Sequence, residues 1–455
     1  MADFEARLIE FNDIKPPGAH LDECAGGIGI DHEGRVYFAA QDDRDPQDVA
    51  IFRYDTKTGG RELLGTARGI AAHCENLGPN EHWPREEAIA KIHVAFIEHE
   101  GRIYFATHNF ADPMQAYRTI YDDLALHRGA HIFAYDIAAE TFEDVTKSAP
   151  GGVAAKNESI AGLTVMPGHD KLVAFTFPHG DIVIHDLNTG ETRRYDGAPE
   201  YRTDRSVNVA REIIATKQGK VFLAYEKDNF HLHTLDLDTG AIARTMHRNS
   251  LRTGYICGMA SKKDGSVIYL VDLRGNLYAF ETDADRLRDL GNLLTDAEWK
   301  KGARVTSVHG IALSRDERTL YTIPSRIISE HPIKRAAMRL LTRAFPKVKA
   351  ALARWRLSRL EARAHDAKPV KSDSGRAPAA LDATSSKLYT YDIATGEKRI
   401  AGRFPNLPMG SWISGNGVID DEGRLYYCYH TLNRNGARLV QISPVSDRGT
   451  SSSVS

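Results

Sequence analysis

The sequence predicts an all-β fold, a seven-bladed β-propeller, on three observations. First, a polar turn leading into an alternating strand recurs seven times, as GRVYFAA from Gly34, GRIYFATH from Gly101, DKLVAFTF from Asp170, GKVFLAYE from Gly219, GSVIYLVD from Gly265, RTLYTIPS from Arg318 and GRLYYCYH from Gly423. Second, most copies are followed by another strand closed by a polar turn, as in IFRYDTKTGG from Ile51, HIFAYDIAAE from His131, IVIHDLNTGE from Ile182, LHTLDLDTGA from Leu232 and LYTYDIATGE from Leu388. Period-2 alternation ended by Asp-x-x-Thr-Gly reads as a strand and a tight turn. Antiparallel units of this size close radially into a propeller. Third, the seventh unit, ending near Ile442, is one strand short, while ARLIEFN near the N-terminus is a strand without a blade. Pairing the two closes the ring over residues 1–445 and removes the exposed edges that an open solenoid would leave.

Composition supports a large core: 42% of the 455 residues are hydrophobic and 26% charged. A formal net charge of −2 argues against a nucleic-acid partner, which normally leaves a basic imprint. The opening MADFEARLIEFND has neither a basic nor an apolar leader segment, and no apolar run reaches membrane-spanning length, so the expected location is cytoplasmic. Cys24, Cys74, Cys257 and Cys428 are scattered without CxxC spacing, as small core residues would be.

Three insertions interrupt the repeat. Residues 67–90 and 110–129, the latter carrying Tyr117 and Tyr121, flank the second blade, and long connections of this kind commonly form a wall or lid over one face. Residues 332–368 space Met338, Leu341, Phe345, Val348, Leu352 and Trp355 at helical intervals among arginines and lysines, and a Ser/Ala/Pro linker runs on to residue 386. This basic amphipathic segment fits either a hairpin packed on the rim or docking to an anionic membrane surface or protein partner. The Ser-rich tail, residues 446–455, reads as disordered.

Because the innermost strands of a propeller converge on its axis, position within the repeat is a spatial coordinate. Counting back from each turn gives Gly26, His93, Gly162, Arg211, Cys257, Gly310 with His309 beside it, and Gly415. Counting forward gives Gln41, His108, Phe177, Glu226, Leu273, Ser325 and His430. The glycines are expected to keep the channel mouth open, and His93, Arg211 and His309 to point into it. Imidazole exchanges protons near neutrality and guanidinium binds carboxylates bidentately. Together they suit removal of a proton beside a substrate carboxylate, the chemistry of β-elimination from a uronic acid. That reaction calls for no cofactor, and a supporting divalent metal is left open.

KIH before GRIYFATH, then GAHIFAYD, and the arginine-bearing VNVAREIIATKQGKVFLAY together resemble the seven-bladed propeller polysaccharide lyases, the ulvan lyases and their relatives, over blades two to four. The resemblance implies an acidic carbohydrate substrate and catalytic roles for His93, His108 and Arg211. The family's tyrosine has no direct counterpart: blade three reads FPHGDIVIHDL, which offers His179 and His185, and Tyr225 is the substitute acid. His179, Glu226, His309, His430 and Asn109 complete the expected substrate contacts. Two other readings stand beside this one. One is a non-catalytic binding propeller, since the fold hosts many functions. The other is a metal-dependent, lactonase-like hydrolase drawing on His108, His309 and His430, or on the HLH at residues 231–233.

Overall fold

The computed structural model describes residues 3–21, 24, 26–41, 48–78, 87–110, 128–197, 213–224, 232–237, 239–244, 256–308, 310–329, 385–408, 412–430 and 436–445. Among them are seven four-stranded antiparallel sheets, the blades of a β-propeller. Blade 1 comprises Ile28–Ile30, Arg35–Gln41, Val49–Asp55 and Arg61–Thr66. Blade 2 comprises Ile97–His99, Arg102–Ala106, Ile132–Asp136 and Thr141–Asp144. Blade 3 comprises Ser159–Met166, Lys171–Phe177, Ile182–Asp186 and Thr192–Tyr195. Blades 4, 5 and 6 follow in the same order, and blade 7 runs from Trp412–Ile419 through Leu425–His430 to Arg438–Pro444.

The fourth strand of blade 7 is Phe4–Glu10, paired antiparallel from Phe4↔Pro444 to Glu10↔Arg438. Phe11, just past that strand, is fully buried, its ring centroid 4.8 Å from that of Phe38 and 5.4 Å from that of Phe52 in blade 1. The N-terminus therefore joins the last blade while its next residue packs into the first.

The turns explain why the repeat is written as it is. In Asp-x-x-Thr-Gly the aspartate accepts from backbone N–H groups two and three residues on, and glycine supplies the left-handed position. Asp55 accepts from Lys57 and Thr58 at 2.8 and 2.9 Å with Gly59 at φ 75°, and Asp186 accepts from Asn188 and Thr189 at 3.0 and 2.9 Å with Gly190 at φ 71°. A second local device underlies GRVYF and GRLYY. Asp31 binds the Arg35 guanidinium at 2.7 Å and the Tyr37 hydroxyl at 2.9 Å; Asp420 holds Arg424 and Tyr426 at 2.6 and 2.9 Å. Asp272 does the same with Asn276 at 2.8 Å and Tyr278 at 3.2 Å. Burial and the aspartate charge raise the pKa values of Tyr37 and Tyr426, which stay neutral donors.

The axial glycines do not hold the channel open, contrary to expectation. A Cβ on Gly310 would stand 1.8 Å from the Gly415 carbonyl oxygen, and one on Gly415 would stand 2.5 Å from that of Gly26. These glycines let the innermost backbones of blades 6, 7 and 1 touch. Gly29 does likewise for blades 1 and 2, since a Cβ there would meet the Phe96 carbonyl oxygen at 1.9 Å.

The described parts of the first two insertions are packed, not draped. Residues Ala67–His73 form a helix capped by Thr66 that buries Ala67, Ile70 and Ala71. Ala88–Lys91 pairs with His108–Phe110, and Gly129–Ala130 pairs with Ala155–Lys156 at the entrance to blade 3. Residues 79–86 and 111–127, with Tyr117 and Tyr121, lie outside the described residues, as do 332–368, the linker to residue 384 and 446–455. No helix among the described residues is long and apolar enough to cross a membrane.

Candidate active site

His93 and His108 meet. Along Ile92–Phe96 the buried residues Ile92, Val94 and Phe96 alternate with the half-buried His93 and Ala95, so the apolar members enter the core and His93 takes the other side. Phe96 N donates to Ile28 O at 3.3 Å, which seats this segment against blade 1. His108 arrives on the extension of the second strand of blade 2, where its Cα pairs with that of Lys91. Thr107, just before it, donates its N–H to His131 O at 3.0 Å and accepts from Ile160 N at 3.2 Å, fixing the strand end between blades 2 and 3. The two imidazole centroids lie 4.8 Å apart in an edge-to-face arrangement, and His108 lies 5.3 Å from the Phe177 ring. His108 and Lys91 are both buried, at 5% and 3% exposure.

Phe177 ends the second strand of blade 3, and His179 follows in the turn. The His179 Nδ1 is 2.8 Å from Glu158 Oε1, and Glu158 also takes the Arg194 guanidinium at 2.7 Å and the Thr176 hydroxyl. Arg194 reaches on to Asp181 at 3.0 Å and to Lys156 O at 2.8 Å. Burial works against the Glu158 charge, but His179, Arg194 and Thr176 together hold its pKa below the ordinary carboxylate value. A carboxylate on Nδ1 fixes the ring and leaves Nε2 to exchange a proton with a ligand, the arrangement of an oriented acid–base group.

Behind the pair lies a buried ionic cluster built from both insertions. His131 is fully buried, with Nδ1 2.7 Å from Asp144 and Nε2 3.0 Å from Glu87. Burial opposes its charge, yet the two carboxylates prevail and push its pKa up to about 9, while those of Glu87 and Asp144 are lowered in return. Asn76 donates to Asp144 at 2.6 Å, and Arg128 donates to Asn76 O at 2.6 Å and to Glu87 at 3.1 Å. His131 N also donates to the Thr107 hydroxyl at 2.9 Å, so this cluster braces the strand that ends in His108.

The other expected residues divide into two groups. Arg211, Tyr225, Glu226 and His309 lie outside the described residues; Asn109 and His430 are placed on strands by their backbones alone. His185, the alternative to His179, is set aside. It pairs with Leu172 toward the far end of its strand, is 2% exposed, and binds the Thr192 hydroxyl at 2.9 Å, with burial holding its pKa down. His233 is likewise buried, at 1% exposure. Among the described residues, one group has metal-holding geometry: His99, Glu100 and Asp170, at the opposite end of the strands, with His99 Nε2 3.0 Å from Asp170 as a hydrogen-bonding contact between blades 2 and 3. Lys91, Glu158, Arg194 and the His131 cluster escaped the sequence reading. The signal that could have found Glu158 is its place directly before the first strand of blade 3.

No known protein family matches the sequence, and no curated protein does. Among the many solved structures similar in fold are the following two. The β-propeller domain of Cps50 (Swd1) from Myceliophteria thermophila aligns over 96% of this chain and 99% of that one, with 12% identity and a TM-score of 0.50. The extracellular domain of the putative hybrid two component system BT4673 from B. thetaiotaomicron aligns over 96% of this chain, at 11% identity and a TM-score of 0.47; the chain spans 40% of its length. At 12% identity the likeness to the Cps50 (Swd1) domain speaks to the propeller fold alone.

Proposed function

We propose that the chain is a lyase that cleaves a uronate-containing poly- or oligosaccharide by β-elimination at the face carrying His93 and His108. The observation that carries this reading is the approach of those two rings, 4.8 Å between centroids, on adjacent segments of one blade. In the reaction one imidazole takes the C5 proton of the uronate, and Arg211 neutralises the adjacent carboxylate so that the charge left on C5 is tolerable. The C5 electron pair forms the C4–C5 double bond as the C4–O4 bond breaks. His179, oriented by Glu158, or Tyr225 returns a proton to O4. Proton, electron pair and leaving group balance without a redox cofactor.

The test is an ultraviolet assay for the unsaturated product, run on a panel of uronate-containing poly- and oligosaccharides. Activity in the wild type that falls by about a thousandfold or more in His93→Ala and Arg211→Ala supports the reading. Loss in His179→Ala with retention in Tyr225→Phe assigns the acid to His179. A flat wild-type trace across the panel overturns the lyase and leaves the binding propeller, with the 332–368 segment as the place to look for its partner.

A further inference from the structure

The ring is continuous in chain everywhere except at one seam, and two thiols sit there. Cys24 lies between the closing strand Phe4–Glu10 and the first strand of blade 1, and Cys428 lies in the second strand of blade 7. They belong to one buried cluster, at 2% and 0% exposure, shared by blades 7 and 1. Cys24 Sγ is 3.9 Å from Arg438 O, and Leu439, the next residue, is the cross-strand partner of Cys428. Cys428 Sγ in turn is 3.7 Å from Gly27 O, three residues beyond Cys24. Each thiol thus packs against backbone belonging to the other's neighbourhood.

We propose that Cys24 and Cys428 are a redox-modifiable pair whose oxidation to a disulfide converts the strand-closed seam of the propeller into a covalent one. With a peroxide as oxidant, the Cys24 thiolate attacks a peroxide oxygen, giving a sulfenic acid and a leaving hydroxide that is protonated to water or an alcohol. The Cys428 sulfur then displaces the sulfenic oxygen as water, so two thiols lose two electrons and the peroxide gains them. Cys24 keeps a trace of exposure, 2% against 0% for Cys428, which makes it the sulfur an oxidant reaches first. The bond would close a loop spanning nearly the whole chain, the situation in which a cross-link restricts the unfolded state most. In a reducing compartment the pair would rest as thiols and respond to stress.

The experiment compares the full-length protein before and after hydrogen peroxide, with and without dithiothreitol. Non-reducing tryptic mass spectrometry should find peptides 8–35 and 425–434 joined, and the denatured protein should lose two of its four titratable thiols. The melting temperature should rise by about 5 °C or more, and return on reduction. Cys24→Ser, which leaves the β-strand residue in place, should abolish both the cross-link and the rise; Cys428→Ala is the second control. Oxidation that stops at sulfinic acid, a cross-link that instead recruits Cys74 or Cys257, or a joined peptide with no rise in melting temperature would overturn the proposal.

Discussion

His131 is a charged imidazole with no access to water, held between two buried carboxylates. Removing one partner of a buried ion pair strands the other, at a cost of about 3–5 kcal/mol. His131→Asn should therefore destabilise the protein by roughly that amount while Asp144 and Glu87 lose their counter-charge. The pH dependence has a definite sign. The folded pKa of about 9 exceeds the unfolded value of 6.5, so the stabilisation is full below pH 6.5 and is lost as pH rises through 9. The size implied is about 3 kcal/mol. Denaturant titrations of wild type and variant at intervals from pH 6 to pH 10 should show the gap between them narrowing as pH rises. A constant gap would mean that His131 is neutral in the fold.

The insertions around blade 2 act as an element because their ends are tied to each other. Gly78 and Glu87, at the two ends of one connection, exchange hydrogen bonds at 3.1 Å, and Arg128, entering from the other insertion, binds Asn76 O and Glu87. Replacing Arg128 by Ala removes its bonds to Asn76 and Glu87 without touching a blade core. Amide exchange should then accelerate by about tenfold or more at Gly78, Glu87 and Ala88–Lys91, while Val267–Asp272 in blade 5 keeps its protection. Equal acceleration in both places would show that Arg128 supports the whole ring. Elements of this kind also mark how far the sequence could be read. The Asp-x-x-Thr-Gly turns were legible because donor and acceptor are two or three residues apart. His93 and His108 were legible because the repeat turns chain position into spatial position. The Glu87–His131–Asp144 cluster was not, since Glu87 comes from an insertion and meets His131 and Asp144, which paired strands of blade 2 bring together, only once that insertion is packed. The axial glycines were seen but misread: an absent side chain leaves room, and here neighbouring backbone takes that room.

At the scale of the molecule, what distinguishes this propeller from a row of seven sheets is how the ends interlock. Phe4–Glu10 belongs to blade 7 by hydrogen bonding, while Phe11, a residue later, is buried among Phe38 and Phe52 of blade 1. Parting blade 1 from blade 7 therefore requires breaking a seven-residue ladder, in addition to the packing that separates any two blades. A circular permutant isolates that contribution. Val445 N donates to Asp3 O at 2.9 Å, so the last strand can run through a two-residue Asn-Gly turn directly into residues 3–12, with a new N-terminus at residue 13. Every strand pair of the native protein survives in this variant, but blade 7 becomes a self-contained hairpin series and the interlock is gone. Its secondary structure should be native, and its unfolding in denaturant should be faster by about tenfold or more, because the seam can now open without losing a strand. If the permutant unfolds at the native rate, the ladder is still intact at the unfolding transition state. Closure would then rest on the packing between blades, with the N-terminal strand serving only to complete a sheet.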